Sequence, residues 1–279
     1  MASWNEIADR VYQRRYDPLD ISVCVVAGSH GLLVVDTRCN PREARELREH
    51  LAELSPLPVR WVVNTHAHYD HSFGNQAFPD AVIHGHHLIP RHFEQYESTR
   101  LASWAAAPQS WPQYDWTDVE LTPPAVLVSS TMDLDLGDRV VRLHPLPPGH
   151  TDTDLVVEIP DAGTWLVGDI IEQSGPPMYG SGSFPLDWPA VVTDVAAMVQ
   201  PGDIVVPGHG EPVDRAFLED QAVLLGIVAD GIREAFDRGE PIELVSERLA
   251  SRSGFPLEIV EAAIIRGYTL LAEAPREQP

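Results

Sequence analysis

The amino-acid sequence predicts an α/β protein in which strands form layered sheets and helices cover their outer faces. Short apolar, β-branched runs occur in both halves of the chain, and each half continues into helical patterns. The pattern is helical from about residue 214 to the end, and the 279 residues are enough to bury a substantial core. Since no internal repeat or low-complexity tract interrupts the pattern, we expect one domain over residues 1–279.

The first half combines a hairpin with a helix and further strands. Apolar runs over residues 21–27 and 31–36 flank Gly28-Ser29-His30, a sequence typical of a hairpin turn. Pro41 is expected to begin an amphipathic helix that ends at Leu54. The remaining predicted elements are strands over 59–63 and 81–84 and a helical stretch near 86–106.

An aromatic segment over residues 104–116 follows this helical stretch. Its large side chains and the prolines between them are Trp104, Trp111, Tyr114 and Trp116, with Pro108 and Pro112. Such a segment suits a lid over an apolar substrate, a contact in a homodimer, or an edge of the core. The sequence leaves these three interpretations open.

The second half is predicted to return to strands before it becomes helical. Asp187 is suited to cap a helix that extends to Val199. The helical pattern after Asp214 is interrupted near Gly239 and Gly254, which predicts three helices. The predicted strands cover residues 125–129, 133–136, 139–146, 154–159, 164–168 and 203–206.

The charge of the chain argues against several classes of partner. The formal net charge is −23, and all 19 basic residues are arginines. Such an acidic surface repels phosphate backbones and anionic lipids, so we expect a small-molecule substrate, no nucleic acid and no membrane partner. The sequence shows neither a membrane-spanning apolar run nor a secretory signal, and Cys24 and Cys39 are expected to be buried and reduced. These features predict a cytoplasmic protein.

The strongest functional signal is the sequence THAHYDH at residues 65–71. It contains three histidines and one aspartate, and it directly follows the apolar strand predicted over 59–63. Imidazole and carboxylate groups are the ligands of zinc and other first-row divalent metals. Because four such donors exceed what one ion is expected to take from a single loop, the segment indicates a site for two metal ions.

Three more residues of ligand type follow predicted strands. They are His150, Asp169 and His209, and a glycine directly precedes each of them. A rigid sheet can present donors along one edge in this way, and the glycines allow sharp turns. We therefore expect these residues to converge on the 65–71 loop. The histidines crowded into residues 84–92 lack this placement and are expected to be surface or supporting groups.

Taken together, THAHYDH, PPGHT at 147–151, VGD at 167–169 and PGHG at 207–210 resemble the metallo-β-lactamase superfamily in spacing and order. The resemblance extends over roughly residues 20–215. It implies a four-layered αβ/βα sandwich of two mixed sheets flanked by helices. It also implies that metal ions bind at the edge where the two sheets meet.

The resemblance further implies a role for each donor. The metal ligands fall into three groups: His66, His68 and His150 for the first ion, Asp70, His71 and His209 for the second, and Asp169 as the bridge between them. Asp70 is also expected to orient the nucleophile and accept its proton. Asp36, at the end of the run GLLVVD, matches an aspartate that supports the ligands, and a metal-bound histidine needs such an acceptor for its other ring N–H.

These residues predict a metal-dependent hydrolase with two divalent ions. Zinc is the first expectation, and manganese, iron and nickel also suit the donors. A hydroxide shared by the ions would attack the acyl carbon of a small thioester, lactone, ester or amide. The alternatives are a mononuclear iron oxygenase similar to the persulfide dioxygenases, and a metal-binding module without catalytic activity.

Departures from known subfamilies narrow the substrate. Asp169 stands where the β-lactamases with a cysteine ligand carry that cysteine, which disfavours a true β-lactamase. The sequence after Asp169 lacks the Gly-Cys-Gly-Arg-like turn of glyoxalase II and the persulfide dioxygenases. The loop over residues 175–184, rich in glycine and proline, is expected to shape the pocket. Within it, Tyr179 is a candidate hydrogen-bond donor to the substrate, with a packed aromatic as the alternative.

Overall fold

The structure is a computed structural model that describes residues 3–107, 109 and 114–273. Its strands are β1 (Asn5–Ala8), β2 (Val11–Tyr16), β3 (Ile21–Gly28), β4 (Gly31–Val35), β5 (Val59–Val63), β6 (Val82–His86), β7 (Val126–Val128), β8 (Met132–Asp135), β9 (Val140–Pro145), β10 (Leu155–Ile159), β11 (Thr164–Glu172) and β12 (Ile204–His209). Its α-helices are α1 (Pro41–Leu54), α2 (Tyr69–Ser72), α3 (Ile89–His92), α4 (Ser98–Ala106), α5 (Trp188–Met198), α6 (Arg215–Asp237), α7 (Ile242–Ser253) and α8 (Leu257–Glu273). A π-helical turn, Phe93–Glu97, joins α3 to α4.

The strands form two mixed halves that meet at one point. The hydrogen-bonded order is β7-β6-β5-β4-β3-β12-β11-β10-β9-β8, and β2 pairs with both β1 and β3. The pairs β4–β5, β5–β6, β6–β7 and β11–β12 are parallel, and the other pairs are antiparallel. Strands β3 and β12 share the pair Ile21 and His209, so the two sheets that the sequence predicts are hydrogen-bonded to each other at this point.

Alternating side chains build the four layers. On β4, Leu32 and Val34 pack with residues of α1, whereas Leu33 and Val35 face the other sheet. On β11, Leu166 faces the first sheet, and neighbouring side chains on the opposite face join the cluster built with α5, α6, α7 and α8. This arrangement confirms the predicted αβ/βα sandwich, because each sheet buries one face against the other sheet and one against helices.

Several elements differ from the prediction. Strands β1 and β2 were not predicted, and the stretch near 86–106 is divided among the end of β6, α3, the π-helical turn and α4. Strand β11 continues to Glu172, four residues beyond the predicted end. It passes Gly168, whose φ of +56° accompanies a shift in the pairing register with β12.

The aromatic segment forms an edge of the core wherever the structure describes it. Tyr114 and Trp116 are buried and pack with Phe73, while Trp104 and Tyr69 lie partly buried against them. Trp111, Pro108 and Pro112 lie outside the described residues. Cys24 and Cys39 are buried and not disulfide-bonded. Across the described chain, every helix is too short or too polar to cross a membrane.

Candidate metal centre

The loop after β5 brings the first group of donors into position. Asp36, at the end of β4, accepts hydrogen bonds from both the backbone N–H and the hydroxyl of Thr65, each at 2.8 Å. The Thr153 hydroxyl accepts the backbone N–H of Ala67 at 3.0 Å. Helix α2 then begins at Tyr69, which places the side chains of Asp70 and His71 inside the protein. The loop is therefore fixed by buried polar contacts from two other segments.

Glycine turns position the donors that come from the second sheet. Gly168 lies in the left-handed region with φ +56°, and Asp169 follows it directly. A Cβ atom at Gly208 would lie 1.8 Å from Oδ1 of Asp169, so the backbone before His209 can approach only because this residue has no side chain. His150, Asp169 and His209 therefore converge on the 65–71 loop, as expected.

The first cluster contains His66, His68, His150 and Asp169. One ligand atom of each lies within 4.8 Å of the others, and all four residues are buried. Nε2 of His150 is 2.9 Å from Nδ1 of His68 and 3.6 Å from Oδ2 of Asp169. Nε2 of His66 is 3.7 Å from the same oxygen. These are the four residues that the family resemblance implies for the first ion and the bridge.

The second cluster contains Asp70, His71, His209 and, again, Asp169. Nε2 of His209 lies 3.3 Å from Oδ2 of Asp70 and 3.4 Å from Oδ2 of Asp169. Nε2 of His71 lies 3.2 Å from Oδ1 of Asp169 and 3.3 Å from Nε2 of His209. Asp169 thus contributes to both clusters, with its carboxylate between them.

The two clusters fit divalent metal ions. Nε2 of His66 is fully buried and has no hydrogen-bond partner among the described residues, although buried polar atoms are normally paired. Nε2 of His150 and Nδ1 of His68 lie close together, so two nitrogens of the ligand type face each other. Cations bound between these donors would satisfy them, and the nitrogen and carboxylate set is one that zinc and related metals accept.

The two clusters differ in protonation. Burial lowers the pKa of His68 to about 3 and that of His150 to about 4, so both rings are neutral and ready to bind a cation. Burial also disfavours charge on His71 and His209, but the adjacent carboxylate of Asp169 raises the pKa of both well above the ordinary value.

Hydrogen bonds fix the second ring nitrogen of several histidines. Nδ1 of His71 lies 2.8 Å from Oδ2 of Asp36, and Nδ1 of His209 donates to the Leu19 carbonyl at 2.7 Å. Nε2 of His68 is 3.0 Å from the carbonyl oxygen of Ser181. Such contacts orient each ring and leave its other nitrogen directed at the clusters. Asp36 therefore lies where the sequence predicts a supporting carboxylate.

A cavity of about 350 Å³ opens beside both clusters. Five of the seven predicted ligands line it: His68, Asp70, His150, Asp169 and His209. The loop after β11 contributes a second wall through Met178 and Gly180, and Tyr69 adds an aromatic surface. The arrangement offers space for a small molecule in contact with both groups of donors.

Tyr179 does not line this cavity. Its ring is buried in the hydrophobic cluster against Trp188, with ring centroids 5.2 Å apart, and its hydroxyl has no hydrogen-bond partner among the described residues. The position matches the alternative of a packed aromatic.

Some residues beside the site could not be recognised from the sequence. Glu172 and Arg100 line the cavity, and burial raises the pKa of Glu172 to about 8. His92 is fully buried, lies 2.5 Å from Oδ1 of Asp152, and forms a third cluster of potential ligands with His68 and Glu97. For His92, the sequence offered only the crowding of histidines over residues 84–92, which did not distinguish His92 from its neighbours.

Comparisons with known proteins agree with this geometry. The family model of the metallo-β-lactamase superfamily matches residues 16–209. A metallo-β-lactamase type 2 of Bacillus cereus is 24% identical over 196 residues, which cover 70% of this chain and 68% of that protein.

Solved structures show the same fold. The FIM-1 metallo-β-lactamase from Pseudomonas aeruginosa, in its mono-zinc form, has a TM-score of 0.61 and 21% identity, covering 81% of this chain and 94% of that one. The sec-alkylsulfatase Pisa1 from Pseudomonas sp. has a TM-score of 0.76 and 16% identity over 96% of this chain. The match spans 50% of the length of Pisa1. With the family model matching more than half of its length, the chain belongs to the metallo-β-lactamase superfamily.

Proposed function

We propose that the protein is a metal-dependent hydrolase that binds two divalent ions and cleaves a small acyl substrate. The observation that carries this proposal is the position of Asp169, which completes two separate clusters of donors beside one cavity. A structural zinc site needs four ligands, whereas seven converge here. Zinc is the first candidate, supported by the mono-zinc form of the related FIM-1 enzyme.

The proposed ligands follow the two clusters. His66, His68 and His150 would hold the first ion, and Asp70, His71 and His209 would hold the second, with Asp169 shared by both. When bound, the ions would lower the pKa of a water molecule and polarise the acyl carbonyl of the substrate.

We assign to Asp70 the transfer of the proton from the attacking water molecule. Its carboxylate is buried, lines the cavity, and lies 3.3 Å from Nε2 of His209. The pKa of Asp70 lies below its usual range despite burial, because His71 and His209 stabilise the charged form. Asp70 is therefore ionised near neutral pH and able to orient an attacking water molecule and accept its proton.

The cavity favours a small, partly apolar substrate. Met178, Tyr69 and Leu19 contribute apolar surface, and the volume of about 350 Å³ lies within the range of small-ligand sites. Thioesters, lactones, esters and amides all contain the electrophilic carbon that this chemistry requires. Sulfate esters belong in the same test, because Pisa1 shares the fold over 96% of the chain.

The proposal is tested by the metal content and activity of the purified protein. We expect close to two ions per chain, with hydrolysis of at least one acyl substrate that is lost on chelation and restored by added zinc. Asp70→Asn should lower turnover by about 10²–10⁴-fold, whereas Asp220→Asn, an exposed change on α6, should leave it unchanged.

Other outcomes would replace the proposal with a different function. Iron in the purified protein together with oxygen consumption on a persulfide would indicate an oxygenase. Bound metal with no metal-dependent turnover of any thioester, lactone, ester, amide or sulfate ester would contradict the hydrolase and favour a non-catalytic module.

A further inference from the structure

We propose that Arg100 binds an anionic group of the substrate, so that the preferred acyl compounds carry a carboxylate or a similar anion at a distance from the bond that is cleaved. The inference rests on the proposed function and names a substrate class for it. It comes from the position of Arg100 in the cavity wall and from the groups that hold its guanidinium.

Arg100 supplies a permanent positive charge to the cavity. It lies on α4, and it is the one arginine among the described residues that line the cavity. The chain has no lysine, so no ammonium group is available for the same task. The side chain is 22% exposed and contributes to the cavity wall. A guanidinium presents five donors in a planar fork that matches a carboxylate.

Three contacts hold this guanidinium in place. Nη2 of Arg100 donates to the hydroxyl of Ser181, and that hydroxyl donates in turn to Oε1 of Glu97 at 3.1 Å. Nη1 lies 3.6 Å from the same oxygen of Glu97. The guanidinium also lies 5.5 Å from the ring centroid of Trp104, a cation–π distance. Since the group is oriented before a ligand arrives, binding loses less conformational entropy.

The ionisable side chains that lie behind Arg100 do not line the cavity. Glu97 is fully buried, and its carboxylate also lies 3.7 Å from Nε2 of His92. Nδ1 of His92 lies 2.5 Å from Oδ1 of Asp152. Oε1 of Glu97 therefore lies near both His92 and Arg100. Of these side chains, Arg100 is the one that reaches the cavity.

The same contacts connect Arg100 to the proposed metal centre. Ser181, which accepts from Arg100, provides through its backbone carbonyl the oxygen 3.0 Å from Nε2 of His68. An anion on Arg100 and an acyl group at the clusters would therefore share one cavity. Glu172, at the end of β11, is a further carboxyl group that lines the cavity. Its side chain accepts the backbone N–H of Met178 at 3.0 Å.

Matched acids and amides test this inference by binding rather than by turnover. Calorimetry would measure the dissociation constants of glutarate, adipate and pimelate, and of the corresponding monoamides, on the metal-loaded protein. One carboxylate of each compound can occupy the metal centre, and the other group is either charged or neutral. At one or more lengths we expect the diacid to bind about tenfold or more tightly than its amide, the scale of a hydrogen bond to a charged group.

Variants then assign the difference to Arg100. In Arg100→Gln the diacid and the amide should bind equally, and Arg100→Lys should restore part of the difference. Arg91→Gln is the matched control, because Arg91 is exposed on α3 and does not line the cavity.

Two results would overturn the inference. One is an equal affinity of diacid and amide at every length in the native protein. The other is a difference that persists in Arg100→Gln, whether or not its melting temperature falls, because another group would then recognise the carboxylate. Hydrolysis of neutral esters by the same preparations reports separately on the proposed function, so failure of one is distinguishable from failure of the other.

Discussion

Replacing Asp36 by asparagine should weaken the second metal site while the fold remains intact. The Asp36 carboxylate accepts three buried hydrogen bonds, two from Thr65 and one from Nδ1 of His71, each at 2.8 Å. An asparagine amide of the same shape offers one oxygen and one NH₂ group. If the oxygen keeps the backbone N–H of Thr65, the NH₂ group faces Nδ1 of His71.

The Asp36→Asn substitution changes which nitrogen of the His71 ring carries the proton. To accept from the NH₂ group, His71 must carry its proton on Nε2, the atom 3.2 Å from Oδ1 of Asp169. A protonated Nε2 cannot bind a cation, so each binding event has to remove that proton or break the new hydrogen bond. Losing such a support typically lowers metal affinity about 10–100-fold, which corresponds to about 1.4–2.7 kcal/mol. A buried donor left without an acceptor costs about 1–3 kcal/mol of folding stability.

Competition with a chromophoric chelator would measure both zinc dissociation constants for the native protein, Asp36→Asn and Asp220→Asn. We expect the weaker constant of Asp36→Asn to rise about 10–100-fold, with Asp220→Asn unchanged because this side chain is exposed on α6. Circular dichroism would establish that the variants are folded. Two native-like constants in folded Asp36→Asn would refute the reasoning.

Two further predictions concern the backbone and the proton balance of the site. Gly208→Ala should lower the metal content and abolish most activity, because the added Cβ would lie 1.8 Å from Oδ1 of Asp169. The control Gly226→Ala, in open space on α6, should instead stabilise the protein by about 0.5–1 kcal/mol. Equal metal content in the two variants would contradict this prediction. The second ion should bind more tightly as pH rises, by about one log unit per pH unit for each proton displaced, because the raised pKa values of His71 and His209 leave these rings protonated before metal binds. Calorimetry in buffers of different ionisation enthalpy would count the protons released, and a second ion that displaces none at pH 7 would contradict the assignment.

The convergence of the donor side chains could be predicted because their signals are local. A predicted strand followed by glycine and a ligand-type residue marks His150, Asp169 and His209. In the structure Asp169 lies within β11 and His209 is the last residue of β12. The alternating apolar residues of β3 and β4 likewise specify two buried faces, which the structure places against α1 and against the second sheet. The family resemblance supplied the order of the layers.

What could not be predicted depends on contacts between distant segments. Strand β2 carries polar residues that read as exposed, yet Gln13 is buried because its side chain donates to the carbonyl of Gly210. Arg100 reaches the cavity only through the packing of α4 against the loop that contains Ser181. Tyr179 was a reasonable substrate contact from its place in the loop, but the ring turns inward to Trp188. No periodicity in the sequence encodes these orientations.

Anomalous diffraction from crystals of the purified protein tests the central claim most directly. The account predicts two peaks at the metal absorption edge, one among His66, His68 and His150 and one among Asp70, His71 and His209, with Asp169 in contact with both. A crystal grown with excess zinc that shows no metal at these residues, or a single ion that leaves either group without one, would contradict it.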